Sequence, residues 1–302
     1  MSMERMALLL PSWRAGRPHG HGSAQIGAGR TVAGAVLPSI ASAESQPLFF
    51  HHISKTAGTS VTAAIRSMTK RSSVISKGGN LPLAFVQKIV ASGLRSDQFI
   101  HGHPAHGVSA MLRGKTRIIT LLRDPVEQSI SNYLFIRSDF GNPDRRAARR
   151  MDFAEFIRTH PYYAAFQAGS LAVGLRTELP PDAAELAKCL PEICTFLDEM
   201  FLVGTVEGVQ DFMHDLAHAM GWQSVPKLRH LRKSRASQHE RTVLRMLRAK
   251  LEDDPDLALR FAIERAVYQH ASAIAARRRN LQRASEVIPK TVVCDREFEH
   301  SG

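Results

Sequence analysis

At 302 residues, 44% hydrophobic and 23% charged, the chain is long and apolar enough to bury a core, which excludes a disordered or fibrous protein. The 40 Lys+Arg against 28 Asp+Glu give a formal charge of +12, which favours anionic ligands: nucleotides, phosphorylated or sulfated saccharides, nucleic acid or acidic lipid. Cys189, Cys194 and Cys294 lack CxxC spacing, which argues against a disulfide framework or a structural zinc site and fits thiols in a reducing compartment; no stretch approaches the ~20 apolar residues of a membrane helix.

Residues 1–46 are rich in Gly, Ala, Ser, Arg and Pro with no sustained period, and are read as a disordered leader. The Thr31–Ala43 stretch imitates a signal h-region, but it lies far from Met1 and is interrupted by Gly34 and Pro38. Pro47 to Ile53 is a predicted buried strand. Thr59 to Met68 is a predicted helix with Val61, Ala64, Ile65 and Met68 on one face. Ser72 to Asn80 reads as a polar connection, Leu83 to Ser92 as a helix ended by Gly93, and Gln98 to His101 as a third apolar run. Thr116 to Leu122 is the next strand. Asp124 can cap the following helix and Pro125 suits its first turn; the helix is expected to reach Arg137.

Ser138 to Arg150 reads as a flexible loop, followed by a helix near Asp152 to Thr159. No element is assigned from there to Pro180, where a helix is expected to start and run to Asp198. Met200 to Val206 is a fifth apolar run, Val209 to Met220 is amphipathic, and Gln223 to His239 is basic and rich in turns. Glu240 to Ala284 is helical in pattern with a break at Asp254-Pro255. Strands alternating with helices predict one α/β domain over 47–285, with a central, mainly parallel sheet flanked by helices and a tail at 286–302.

Two strand ends carry the chemistry. The first runs into Lys55-Thr56-Ala57-Gly58-Thr59-Ser60 and then a helix. It is not a Walker A sequence, yet it has related parts: Gly58 for close backbone approach, helix-start N–H groups, the Lys55 charge and three hydroxyls. The second ends in Arg123-Asp124-Pro125. Arg123 can hold a phosphate through two N–H groups, and Ser131 lies two helical turns further on. A cation and hydroxyls at two strand ends suit a nucleotide with two phosphate groups.

His101 and His103, at i and i+2 just past a strand, point the same way if the strand continues, and either can serve as general base. His101, His103 and His106 also form H-x-H-x-x-H, but no fourth ligand is obvious nearby, so no metal is assigned. A P-loop kinase would need a Walker lysine and an acidic Mg²⁺ site, and neither is found. The Arg145–Arg150 and Arg277–Arg279 runs raise a non-enzymatic anion or nucleic-acid binder as the rival reading. No nucleic-acid motif accompanies them.

Four blocks in order resemble the carbohydrate sulfotransferases that use 3′-phosphoadenosine 5′-phosphosulfate (PAPS), most closely the heparan sulfate and uronosyl 2-O-sulfotransferase group. They are FHHISKTAGTS at 50–60, FIHGH at 99–103, LLRDPVEQSISNYLFIR at 121–137 and HLRKS at 230–234. The resemblance implies a P-loop-like nucleotide-binding sulfotransferase fold. It also implies that Lys55, Thr56, Ala57, Gly58, Thr59 and Ser60 surround the 5′-phosphosulfate. Arg123 and Ser131 then grip the 3′-phosphate, and Arg232, Lys233 and Ser234 close over the nucleotide. His101 and His103 correspond to the catalytic histidines, with Lys55 assisting, and the order of their roles stays open. Gln128 stands where the family often has Arg, a departure expected to affect surface pairing only. The implied reaction is in-line sulfuryl transfer from PAPS to a hydroxyl or amine, without metal, releasing adenosine 3′,5′-bisphosphate. The expected acceptor is a saccharide or other hydroxylated molecule, possibly anionic, and the expected setting is a cytoplasmic enzyme without nucleic acid or a membrane anchor.

Overall fold

A computed structural model describes residues 46–178, 180, 182–229 and 237–287. Its strands are β1 (Leu48–His51), β2 (Val74–Ile75), β3 (Asn80–Leu81), β4 (Phe99–Pro104), β5 (Arg117–Leu122) and β6 (Leu202–Thr205). They form one sheet in the order β2-β4-β1-β5-β6, with β3 paired to β4. Every strand pairing is parallel. Parallel strands need crossovers, which cover both faces and explain why every residue of β1 and β5 is buried.

The register sorts side chains between the faces. Leu48 and Phe50 lie beside Phe99 and His101, while Phe49 lies beside Ile100 and Ile118. On one face Leu48, Phe50, Phe99 and Ile119 pack against Val61 and Ile65 of helix α1 (Gly58–Ser67) and residues 212–216 of a later helix. On the other, Phe49, Ile53, Ile100 and Ile118 pack against several helices described below.

Helices α2 (Leu83–Ala91) and α3 (Val108–Leu112) follow, α3 being a five-residue helix absent from the sequence prediction. Helix α4 (Pro125–Ser138) starts as expected: the Asp124 carboxylate accepts from Val126 and Glu127 N–H, both at 3.0 Å, with Pro125 in the first turn. Three expectations are corrected here, and one unassigned stretch proves to hold a helix. The Ser72–Asn80 connection contains β2 and β3, too short to show a period. The Ser138–Arg150 loop ends in helix α5 (Arg145–Arg150), which buries Ala148 alone and so has no apolar stripe. After α6 (Phe153–Thr159) comes α7 (Phe166–Leu175), with eight of ten residues buried and therefore no polar face to mark it. The single helix expected from Pro180 is two, α8 (Ala183–Lys188) and α9 (Leu190–Glu199), with Pro191 in the first turn of the second.

Helix α10 (Val209–Ala219) covers the α1 face of the sheet. Helix α11 (Gln238–Ala249), a 3₁₀ turn (Lys250–Asp253) and the long α12 (Pro255–Val287) complete the described residues, with the break at Asp254-Pro255 where the proline predicted it. Helices α7, α9 and α12 fill the second face. A third cluster, including Tyr133, Phe153, Phe156, Leu244 and Phe261, packs α4, α6, α11 and α12 together beside the sheet. Among the described residues no helix is long and apolar enough to cross a membrane.

Candidate active site

Strand β1 sits mid-sheet, between β4 and β5. The chain builds outward from β1 first to the β4 side and then to the β5 side. The carboxyl ends of β4, β1 and β5 therefore flank the point where strand order reverses, where open α/β sheets bind ligands.

The loop after β1 has unusual backbone. Lys55 (φ 67°) and Ala57 (φ 60°) are the non-glycine residues with positive φ among the described residues. Left-handed conformations at such residues cost about 1–2 kcal/mol each. Here they fold the loop so that it enters α1 directly, with Ala57 as N-cap and no side-chain cap. Ser60 N–H donates to the Ala57 carbonyl at 3.0 Å, which leaves the Gly58 and Thr59 amides without an acceptor in the helix, and free amides at a helix start favour an anion. The Thr56 hydroxyl faces inward, buried, donating to the Ile53 carbonyl at 2.8 Å, so it ties the loop down; Thr59 is exposed and Ser60 half-buried. Gly58 is required sterically, because a Cβ there would lie 1.9 Å from the His52 ring.

The second strand end meets the first. The Arg123 guanidinium donates to the Lys55 carbonyl at 3.4 Å. Burial lowers its pKa, opposed by the nearby Glu127 carboxylate. Glu127, Ser131 and Phe135 recur every four residues, one row along α4, and Arg123, just ahead of the helix, pairs with Glu127 at the head of that row. The Lys55 ammonium sits 4.4 Å from the centre of the Phe135 ring, a cation–π contact, so the row lies against the loop. Gln128 is a correction: it is buried, and its amide donates to the Ser54 carbonyl at 3.3 Å, bracing the loop instead of serving surface pairing.

Glu127 gathers three arginines. Its Oε2 lies 3.7 Å from Arg123 and 3.3 Å from Arg241, and its Oε1 lies 2.6 Å from Arg245. Sequence reasoning missed Arg241 and Arg245, which arrive from α11 more than a hundred residues away.

At the end of β4 the histidines separate in role. His103 is bonded through Nδ1 to the His52 carbonyl at 2.7 Å. A carbonyl can only accept, so Nδ1 carries the proton and Nε2 presents its lone pair. Burial lowers the His103 pKa, partly opposed by that bond, so the ring is neutral at pH 7. His101 shares the face but is buried against Phe99 at 5.0 Å, with Nε2 lacking any partner; burial lowers its pKa to about 4. His52, missed in the sequence, stacks on Phe50 at 5.4 Å and on His103 at 4.3 Å; burial holds its pKa well down. The signal was its spacing two residues after Phe50. His51 lies on the opposite face, fully buried, bonded to the Ser109 hydroxyl at 2.9 Å.

Among the described residues no group of three or more His, Cys, Asp or Glu side chains is arranged to hold a metal ion. Arg232, Lys233 and Ser234 lie outside the described residues. The structure thus brings Lys55, Gly58, Arg123 and His103 together at three adjacent strand ends, with Ser131 in the α4 row.

No family model and no curated protein matches the chain. Among solved structures it is similar to mouse sulfotransferase SULT7A1 complexed with PAP, at 12% identity over 77% of this chain and 93% of that one, with a TM-score of 0.38.

Proposed function

We propose that the chain is a sulfotransferase that moves the sulfuryl group of PAPS to a hydroxyl or amine of a saccharide acceptor. The observation that carries this reading is the convergence of the Lys55 loop, the Arg123 guanidinium and the His103 Nε2 at the carboxyl ends of β1, β5 and β4. Three of the four sequence blocks with PAPS-enzyme character, at 50–60, 99–103 and 121–137, fall on those same ends, and the fourth lies outside the described residues.

In this reading the α1 amides and Lys55 hold the 5′-phosphosulfate, and Arg123 with Ser131 holds the 3′-phosphate. The acceptor oxygen attacks sulfur in line while its proton passes to His103 Nε2. The bond from sulfur to the 5′-phosphate oxygen breaks, and adenosine 3′,5′-bisphosphate leaves with the charge stabilised by Lys55. His103 is preferred to His101 as base because its Nδ1–H is anchored and its Nε2 is not sealed in the core. Basic character and the resemblance support a saccharide acceptor.

Thermal unfolding with adenosine 3′,5′-bisphosphate, with ATP as control, tests the donor site. At ligand near 100 times Kd the stabilisation is about 2.7 kcal/mol, and it shrinks in Arg123→Ala. Turnover of PAPS with a saccharide panel tests the chemistry: Lys55→Ala and His103→Ala each lose most of it. No shift at millimolar bisphosphate, together with salt-sensitive DNA retention, would transfer the site to a polyanion-binding role.

A further inference from the structure

A guanidinium is only as well placed as the peptide that carries it. Strand β5 ends at Leu122, whose carbonyl still accepts from Val206 N–H at 2.8 Å. One residue on, no strand partners Arg123. The Gln167 side chain takes that place: its carbonyl oxygen accepts from Arg123 N–H at 2.8 Å, and its NH₂ donates to the Arg123 carbonyl at 2.9 Å. A side-chain amide thus makes the paired contacts of a neighbouring strand. Gln167 is itself fully buried in the first turn of α7.

Gln167 is fixed in turn from below. Glu264 of α12, also buried, accepts from Gln167 N–H at 3.0 Å and from Ala168 N–H at 2.9 Å, one oxygen for each. These are first-turn amides without acceptors in their own helix, and a carboxylate there meets the positive end of the dipole. The burial of an acidic group needs this satisfaction, since an unpaired charge in the core is strongly unfavourable. The order of contacts is Glu264 to the start of α7, Gln167 to the Arg123 peptide, and Arg123 to the phosphate loop.

We propose that Gln167 and Glu264 are positioning residues that set the Arg123 guanidinium for its anion. This rests on the reading of Arg123 as the grip on a 3′-phosphate. The pair touches neither donor nor acceptor, and acts by fixing the backbone at the one residue beyond the strand.

The test compares Kd for adenosine 3′,5′-bisphosphate and for AMP, which lacks the 3′-phosphate, in wild type, Gln167→Met, Arg123→Ala and the double variant. Gln167→Met is expected to weaken the bisphosphate about tenfold, with AMP changed less than about twofold. It adds no further loss to Arg123→Ala, as coupled residues require. Glu264→Gln, which replaces one acceptor oxygen by NH₂, follows the same pattern more weakly. Equal losses for both ligands, or a Gln167→Met loss that persists beside Arg123→Ala, would reduce the pair to ordinary core residues. Amide hydrogen exchange at Arg123 in the free protein supplies a ligand-independent readout: it quickens in Gln167→Met while Thr120 in β5 stays protected, and unchanged exchange overturns the proposal. If wild type binds neither nucleotide, the sulfotransferase reading falls while the exchange result still decides the positioning role.

Discussion

At the scale of single residues, the site is set by close contacts that tolerate little change. Gly58→Ala drives a methyl group into the His52 ring, which must leave Phe50 and His103. Overpacking of this kind costs about 1–3 kcal/mol, and displacement of His52 also disturbs the carbonyl that anchors His103. Thermal unfolding should show the loss, and turnover should fall further than stability alone explains. Wild-type behaviour in both would mean the ring is not confined as described. His103→Gln should retain bisphosphate affinity while turnover drops by at least about a hundredfold, the lower range for a general base. Equal losses in binding and turnover would count against proton transfer at Nε2. Lys55, Arg123 and His103 were legible because each sits within a few residues of a strand end whose apolar run announces it. Gln167 and Glu264 were not: their partners lie 44 and 97 residues away, and an isolated glutamine or glutamate in a helix carries no sign of burial.

At the scale of elements, α4 and α11 act as one charged seam. The α4 row offers Arg123 and Glu127 to the loop, and α11 answers with Arg241 and Arg245. The Glu127 carboxylate faces three guanidiniums, with Asp124 and Glu207 also near Arg123 and a further Arg137–Glu240 pair across the same helices. Arg241→Ala should weaken bisphosphate binding about threefold at low salt, ~0.7 kcal/mol, with a smaller effect as salt rises. Isothermal titration at two ionic strengths checks this, and an unchanged Kd would confine Arg241 to tethering α11. The long elements were legible from their period: α1, α10 and the broken α11–α12 pair all fall within three residues of expectation. Elements with one kind of surroundings were not. Helix α7 is buried on all sides and α5 is polar on nearly all sides, so neither shows the alternation that a half-buried helix writes into its sequence.

At the scale of the whole molecule, several imidazoles are held neutral by burial, and that couples stability to acidity. His51 is pushed down to about 3 and His101 to about 4, and His52 and His103 are also lowered. The unfolded chain takes up these protons near pH 6.5, and the folded chain does so only at lower pH. The contribution is therefore fully present above about pH 6.5 and declines as pH falls, by up to about 1.4 kcal/mol per unit for each group. Glu264 runs the other way: burial raises its pKa, so its share declines as pH climbs above 4.5. The melting temperature should drop steeply between pH 6.5 and pH 4.5, and a flat profile there would contradict the burial of the histidines. The fold class was legible because alternating apolar runs and helical periods specify crossovers, and crossovers specify a parallel sheet. The strand order was not, since nothing in the local sequence says that β5 would lie beside β1.

That same order governs how the chain reaches its native state. Leu48 pairs with Phe99 and with Arg117, 51 and 69 residues downstream, so the middle of the sheet closes only after long segments have been looped out. Non-local parallel pairing is slow, because the loop entropy is lost before the contacts form. The candidate site, spread over three strand ends, exists only once that closure is complete. A nucleotide analogue added during refolding should therefore bind in the slowest phase and leave the earlier ones unaltered, recording the moment at which the chain becomes a single cooperative object.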